Sequence, residues 1–461
     1  MKTKLFALIL VSVAVMLSSC GGSSGPALHT ISGNVTDPNS GHAVVFASVT
    51  VALEGDQTQT ASTDANGFFS FSVPNGEYRV TPSLGSTVFA PLDKVLEVMD
   101  GHVSSIDFAV APGMPTQELN TWRDTGSMAY IRSQHTATLL ADGRVLVAGG
   151  LTHTGTRASA ELYDPAKGKW TTTGSLNDKR MDHAATRLSN GKVLVTGGMG
   201  AHVDSQDIAE LYDPASGKWT RTGSLSFARR FHTSTLLANG KVLVTGGLSE
   251  NGVTRASAEL YDPATDKWTV TANLNYARQT HTATLLADGR VLVAGGQDTS
   301  NLLASAEIYD PATGKWSSTG AMPYGIRAHT ATLLVDGRVF VAGGMNPNSH
   351  SIYALGSAEI YDPSSGLWTT TNSLAYPRSD HSATLLSNHK VLVTGGTNSG
   401  ARASSELYDP ATGTWSTVGE LKYARSSHSA TLLNDGTVLA AGGETNESHM
   451  RASAELFYPG N

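Results

Sequence analysis

Apolar and polar positions recur along most of this chain in one pattern repeated seven times. In the unit from His281 to Met322, four β-prone stretches follow one another: His281 to Leu286, Arg290 to Ala294, Ser305 to Tyr309 and Lys315 to Thr319. Short runs of this kind, bounded by turn residues, predict strands rather than helices. Asp288-Gly289 predicts a two-residue hairpin between the first two, and it recurs as Asp142-Gly143, Asn190-Gly191, Asn239-Gly240, Asp336-Gly337 and Asp435-Gly436. Only Asn388-His389 departs from that text. Between the third and fourth stretches, Asp310-Pro311-Ala312-Thr313-Gly314 puts Pro where φ near −65° is wanted and Gly where a left-handed residue closes the turn. Each unit therefore predicts a four-stranded antiparallel meander.

The period is regular. Trp122, Trp170, Trp219, Trp268, Trp316, Trp368 and Trp415 are 48, 49, 49, 48, 52 and 47 residues apart, and glycine pairs beginning at Gly149, Gly197, Gly246, Gly295, Gly343, Gly395 and Gly442 keep the same intervals. A lone four-stranded sheet cannot bury both faces, so the units must stack, and radial stacking makes a propeller. The small His-Thr-Ala-Thr strand suits the crowded axis, and the Trp and the Tyr before Asp-Pro suit the space between blades. The last unit ends at Asn461 without a fourth strand or a Trp, whereas Leu119 to Met128 reads as a fourth strand without a blade. Closing the ring with that N-terminal strand removes two exposed edges.

The order of Gly-Gly, Tyr-Asp-Pro and Trp resembles the kelch repeat over about 340 residues. That resemblance implies a seven-bladed propeller over 119–461. Ahead of it, with 113–118 as a linker, residues 28–112 alternate β-formers and turns. The predicted strands are Thr30 to Thr36, Val44 to Leu53, Gln59 to Thr63, Phe68 to Val73, Glu77 to Pro82, Lys94 to Val98 and Val103 to Val110. Seven short strands in this length suggest an Ig-like β-sandwich. The text Ile31-Ser32-Gly33-Asn34-Val35-Thr36-Asp37, Thr63-Asp64-Ala65-Asn66-Gly67-Phe68-Phe69-Ser70-Phe71 and Pro74-Asn75-Gly76-Glu77-Tyr78 is similar to the carboxypeptidase-regulatory-like domain. The similarity implies a spacer or stabiliser, with carbohydrate binding as the alternative. The fold class expected is thus all-β.

Residues 1–19 read as a signal: Lys2 and Lys4, then an apolar stretch from Leu5 to Leu17, too short to span a bilayer as a helix, then small residues. Cys20, the only cysteine in 461 residues, follows Leu17-Ser18-Ser19 and resembles the lipobox of bacterial lipoproteins. That resemblance implies a lipidated Cys20, a flexible linker over 20–27, and anchoring in the cell envelope, at the outer membrane or cell surface. With no second cysteine, stability must come from burial and strand pairing. Without Lys2 and Lys4 the chain has 30 basic against 39 acidic residues, with the charges scattered, so nothing points to nucleic acid. A monomer is expected.

Candidate chemistry comes in lockstep. An Arg precedes, and a His begins, the first strand of each unit: Arg132 and His135, Arg180 and His183, Arg229 and His232, Arg278 and His281, Arg327 and His329, Arg378 and His381, Arg425 and His428. The fifth pair is closer by one residue. These arginines could ring the channel mouth as forks for carboxylate or phosphate. Yet Glu161, Glu210, Glu259, Glu307, Glu359, Glu406 and Glu455 recur with them. Seven identical sets speak for architecture, a blade-to-blade ion-pair or hydrogen-bond element.

Function is expected where the copies differ, in the loops after Gly-Gly that hold His153, His202, Asp204, Asp207, Asp298, His350, Tyr353, Glu447 and His449. The longest of them is Met345 to Gly356. Its His350 and Tyr353, with the seven arginines, are the candidate ligand-binding residues. The histidines share no metal-ligand spacing, and neither metal nor cofactor is expected. Kelch resemblance extends to galactose oxidase, whose Tyr–Cys crosslink needs a cysteine that the mature chain does not have free, and to sialic acid mutarotases. Sialidase Asp boxes are absent. The reading is a non-catalytic binding protein for a protein or glycan. A carbohydrate-active kelch enzyme and a structural envelope component are the alternatives. A funnel with non-repeating titratable groups would favour the enzyme, and a face with exposed aromatics would favour binding.

Overall fold

The computed structural model describes residues 28–36, 43–44, 47–53, 58–83, 89–90, 94–99, 101–110, 119–200, 204–346, 354–446 and 449–460. Cys20, His350 and Tyr353 lie outside the described residues. The chain divides into two compact units, Met1–Pro82 with Phe89–Ala111, and Ser83–Val88 with Pro112–Asn461.

Among the described residues the first unit has two four-stranded sheets. One runs Phe68–Val73, His29–Thr36, Phe108–Val110, Phe89–Ala90, and the other Thr58–Ser62, Ser48–Leu53, Gly76–Ser83, Lys94–Val98. Alternation places Ile31, Val35, Phe69, Phe71, Val73, Val49 and Val51 in the core. Asp64 Oδ1 accepts the N–H groups of Asn66 and Phe68 (2.8 and 2.9 Å) and Gly67 takes φ +72, so the predicted turn forms through a local carboxylate bridge. Three details differ from the sequence expectation, the first being that the stretch from Val44 shortens to Ser48–Leu53. Phe89–Ala90 is a strand too short to leave a pattern, and the stretch from Val103 shortens to Phe108–Val110, with Val103 making only a single parallel bridge to Ile31.

The second unit is a ring. Among the described residues it holds seven four-stranded antiparallel sheets in the order first, second, third, fourth strand, named here blades 1 to 7 from the N-terminal side. Blade 4, for example, comprises Thr282–Leu285, Val291–Ala294, Ala306–Asp310 and Lys315–Ser318. First strands of successive blades touch all the way round, blade 7 against blade 1 included. Blade 7 takes its first three strands, Ser429–Leu432, Val438–Ala441 and Ala454–Tyr458, from the C-terminus, and its fourth, Thr121–Asp124, from the N-terminal side. Phe457 stands opposite Trp122 there, with the rings 5.2 Å apart.

Second strands are buried throughout, as runs such as Val145–Ala148 require, and each blade's apolar residues pack against the next blade's. The Tyr before Asp-Pro is fully buried and its hydroxyl pairs with a Thr leaving the previous blade, as in Tyr163 with Thr125 at 2.7 Å. For six of the seven tryptophans the indole N–H donates to a carbonyl at the same seam, as in Trp170 to Gly126 at 2.6 Å. A buried aromatic hydroxyl or indole needs such a partner, and the repeat supplies it from the neighbouring blade.

The hairpin between first and second strands differs in type from the expectation. Gly143 takes φ +83 while Asp142 does not, and the Gly143 N–H returns to Leu140 O at 3.2 Å. This is a turn closed by one left-handed residue rather than a two-residue hairpin with both residues left-handed. His389, with φ 67, holds the glycine position in blade 6. In each blade the loop after Gly-Gly and the crossover from the preceding fourth strand share one end of the ring, and the two hairpins share the other.

Candidate functional site

The lockstep residues are structural in six blades. Arg132 is fully buried: Nη1 donates to Gly149 O (2.7 Å) and Ser159 O (2.9 Å), and Nη2 to Glu161 Oε1 (2.7 Å). Glu161 in turn accepts the Ala129 N–H at 2.6 Å, tying the incoming crossover to the third strand. Arg180, Arg229, Arg278, Arg378 and Arg425 repeat these contacts with Glu210, Glu259, Glu307, Glu406 and Glu455. Burial lowers the pKa of these guanidiniums, that of Arg229 to about 10, and their glutamates partly offset it. The expectation that they present forks to a ligand fails for these six. They have no exposed surface, and the pairs lie within a blade rather than between blades.

Blade 5 is the exception. The residue before Arg327, Ile326, fills the buried position, and Arg327 stands one place later. Glu359 is left buried with no ion pair among the described residues. It accepts a hydrogen bond from the Tyr324 hydroxyl (2.9 Å), and burial raises its pKa. Arg327 points toward the axis, where Nη1 donates to Gln297 Oε1 at 2.7 Å and Nη2 lies 3.3 Å from Met345 Sδ.

The histidines link the blades. His183 Nε2 pairs with Thr136 Oγ1 of blade 1 (2.9 Å), and the other six make the same kind of bond to a Thr or Ser of the preceding blade. Each packs against the first glycine of the preceding blade's pair. A Cβ on Gly149 would meet His183 Cε1 at 2.8 Å and Arg180 O at 2.6 Å, and Gly149 itself has φ +66. The Gly-Gly signature is therefore the socket for the next blade. Burial and neighbouring arginines hold the histidines neutral, His232 down to about 3.

Between each Arg and His lies a residue in the left-handed region: Gln134, Asp182, Phe231, Thr280, Ala328, Asp380 and Ser427, at φ 50 to 54. The exceptional Arg327 adjoins Ala328 directly. The N–H of each donates to the carbonyl of its counterpart in the preceding blade, at 3.0 to 3.3 Å, and the chain of bonds closes on itself. A belt of main-chain hydrogen bonds thus encircles the axis at the loop end. Non-repeating side chains surround it: Asp182, Asp380 and Glu444, Arg230 and Arg327, Gln279 and Gln297. Asp182 is raised to about 7 by burial and by the Glu444 and Asp380 charges, against the pull of Arg230. Asp380 is raised by burial and Glu444, against Arg327 and the Ser379 hydroxyl. Glu444 Oε1 accepts from Ser133 Oγ at 2.7 Å. No repeated letter marks this group in the sequence. Its signal is the pair of variable letters between the repeated Arg and His.

Farther out on the same end, aromatics occupy one register of the crossovers. Tyr130, Phe227, Tyr276 and Tyr376 are 39, 39, 51 and 42% exposed. Guanidiniums from the loops after Gly-Gly lie over four rings of this register: Arg157 over Tyr130 at 4.3 Å, Arg255 over Phe227 at 5.1 Å, Arg402 over Tyr376 at 5.7 Å and Arg451 over Tyr423 at 4.6 Å. Of the other loop residues singled out from sequence, His153 and His449 come together across blades 1 and 7, with the rings 5.5 Å apart. Asp204, Asp207 and Asp298 stay on their own loops, and His202 and Glu447 lie outside the described residues. No group of three or more His, Cys, Asp or Glu residues that could hold a metal ion occurs among the described residues.

Comparison with known proteins places these features. A family described as the KLHDC2/KLHL20/DRC7 Kelch-repeats domain matches residues 134–344 and 231–443, and the carboxypeptidase regulatory-like domain matches 30–111. No curated protein matches the chain. Among solved structures, one described as a novel fungal alcohol oxidase with catalytic diversity among the AA5 family, in complex with copper, is 18% identical, with a TM-score of 0.61 over 74% of this chain and 77% of that one. The structure of YjhT is 17% identical, with a TM-score of 0.48 over 60% of this chain and 93% of that one. At such identity the oxidase likeness is one of fold alone.

Proposed function

The chain belongs to the kelch-repeat family, and from that premise we propose that it is a lipid-anchored, extracytoplasmic binding protein whose propeller offers its loop face to a protein or glycan. In this reading Cys20 carries the lipid after signal removal, the anchor sits at the outer membrane or cell surface, the sandwich acts as a spacer, and the propeller works as a monomer. The observation that carries the reading is the register of exposed aromatics, Tyr130, Phe227, Tyr276 and Tyr376, on the end where the repeats differ. Solvent-facing rings on a rigid scaffold are typical anchors of binding surfaces. His350 and Tyr353 remain candidates on the longest loop.

The test is a glycan array and a mass-resolved pull-down with the full chain in detergent, repeated with all four aromatics changed to Ala. A ligand lost in the variant supports the face. A ligand retained at full affinity, or none captured, overturns the reading.

The throat favours a second reading, a carbohydrate-active enzyme. Asp182, raised to about 7, stands within electrostatic reach of Asp380, itself raised by burial, and two neighbouring carboxylates held above their ordinary range are equipment for acid–base work. Turnover of a reducing sugar, followed by NMR and abolished in Asp182→Asn, would establish it. Equal rates with and without the protein across a panel of sugars would remove it.

A further inference from the structure

The aromatic register is not uniform around the ring. In blades 6, 7 and 1, which are consecutive, Arg402, Arg451 and Arg157 lie over Tyr376, Tyr423 and Tyr130. None of these three side chains has a hydrogen bond or ion pair among the described residues, whereas Arg255 of blade 3 donates to Ala228 O at 2.9 Å. Stacking on the rings holds the three guanidiniums, and the Nε of each is buried without a hydrogen-bond partner.

Charge along the loops points the same way. The loops after Gly-Gly in blades 6 and 1 contain no Asp or Glu, while those of blades 2, 3 and 4 contain Asp204, Asp207, Glu250 and Asp298. Blade 7 has Glu444, turned to Ser133, and Glu447, which lies outside the described residues. In a chain of formal charge −7 this arc of stacked arginines stands apart. Within it, a cavity of about 340 Å³ is lined by Ala424, Thr445, Asn446, His449, Met450 and Arg451. That volume is within the range of roughly 300–1,000 Å³ in which small-ligand sites fall.

We infer that the loops of blades 6, 7 and 1 bind an acidic polysaccharide, a glycan bearing carboxylates at regular spacing, through the guanidiniums of Arg402, Arg451 and Arg157. The inference rests on the binding reading of the loop face and names its ligand. Three equivalent cationic positions on consecutive blades match a polymer whose charge also repeats. Each guanidinium adjoins a flat ring left partly open, 39% at Tyr130 and 42% at Tyr376, which suits the C–H face of a sugar carrying a carboxylate. An acidic peptide has the charge but not the flat apolar face.

The full chain in detergent is titrated with polygalacturonate, with neutral dextran and with poly-aspartate, at low and at physiological salt. Polygalacturonate is expected to bind, and to weaken as salt shortens the screening length toward about 8 Å. Each of Arg157→Gln, Arg402→Gln and Arg451→Gln is expected to weaken it about five- to tenfold, the loss of one charge-assisted hydrogen bond. Arg255→Gln should leave it unchanged. The thermal midpoint of each variant is compared with wild type, and a Lys triple that keeps the charge but not the fork should bind between wild type and the Gln variants. Poly-aspartate binding as tight as polygalacturonate, dextran binding as tight, no polygalacturonate binding, or affinity unmoved in the Gln variants each overturns the inference. A neutral glycan or protein that binds the Gln variants fully but is lost with the four aromatics overturns it while leaving the loop-face reading standing.

Discussion

His389 shows how much one residue can store. It holds φ 67 at a turn where the other six hairpins have Gly, and its N–H still closes the turn on Leu386 O at 3.0 Å. A left-handed non-glycine residue costs about 1–2 kcal/mol, partly offset by the greater entropy that glycine loses on folding. His389→Gly should therefore stabilise the propeller by about 0.5–1 kcal/mol, read as a higher urea midpoint at unchanged slope; a lower midpoint would mean that the imidazole makes a contact worth more than the strain. The same scale shows what a sequence conceals. Six Arg–Glu pairs were readable as architecture because they recur, but Arg327 counts as a member of the set by its neighbourhood alone. Ile326 holds the buried position three residues before His329 and Arg327 holds the next one, so its guanidinium lies outside the buried ion pair, a difference visible only once Ile326 is seen in the arginine's place.

At the level of the element, the strand Thr121–Asp124 does the work of a clasp. Trp122 Nε1 donates to Ser405 Oγ at 3.0 Å, and its ring packs on Phe457, so blade 7 meets blade 6 through a residue more than 280 positions away in the chain. Truncating a large half-buried ring of this kind costs about 2–4 kcal/mol. Trp122→Ala and Trp415→Ala should thus lower stability by similar amounts, measured by chemical denaturation, if the clasp seam is as firm as an internal one. A Trp122→Ala variant within about 0.5 kcal/mol of wild type would show that the ring holds without its clasp. Strands of this unit could be placed from sequence because turn residues bracket them at every copy. Phe89–Ala90 could not, since two residues carry no period, and the Val103 stretch pairs too little to register as a strand.

For the molecule as a whole, the seven histidines form a single pH-sensitive element. All are held well below their ordinary value of about 6.5 by burial first, so an unfolded chain takes up protons that the folded ring refuses. Stability from this source is complete above about pH 6.5 and is lost as pH falls below it, toward about 4 for His329 and about 3 for His232. Unfolding midpoints in urea should decline steeply between pH 6.5 and 4, with uptake of several protons per chain, and His183→Gln should soften the slope. A flat profile over that range would mean that the belt of histidines titrates freely. The axial belt has a different consequence. Because its seven hydrogen bonds use only main-chain atoms, the side chains that project from it, as unlike as Phe231 and Asp182, carry none of the ring's mechanical duty. Lineages of such proteins can rewrite the letters at this mouth one at a time while the hoop beneath stays closed, so a new specificity need not pass through an unfolded ancestor.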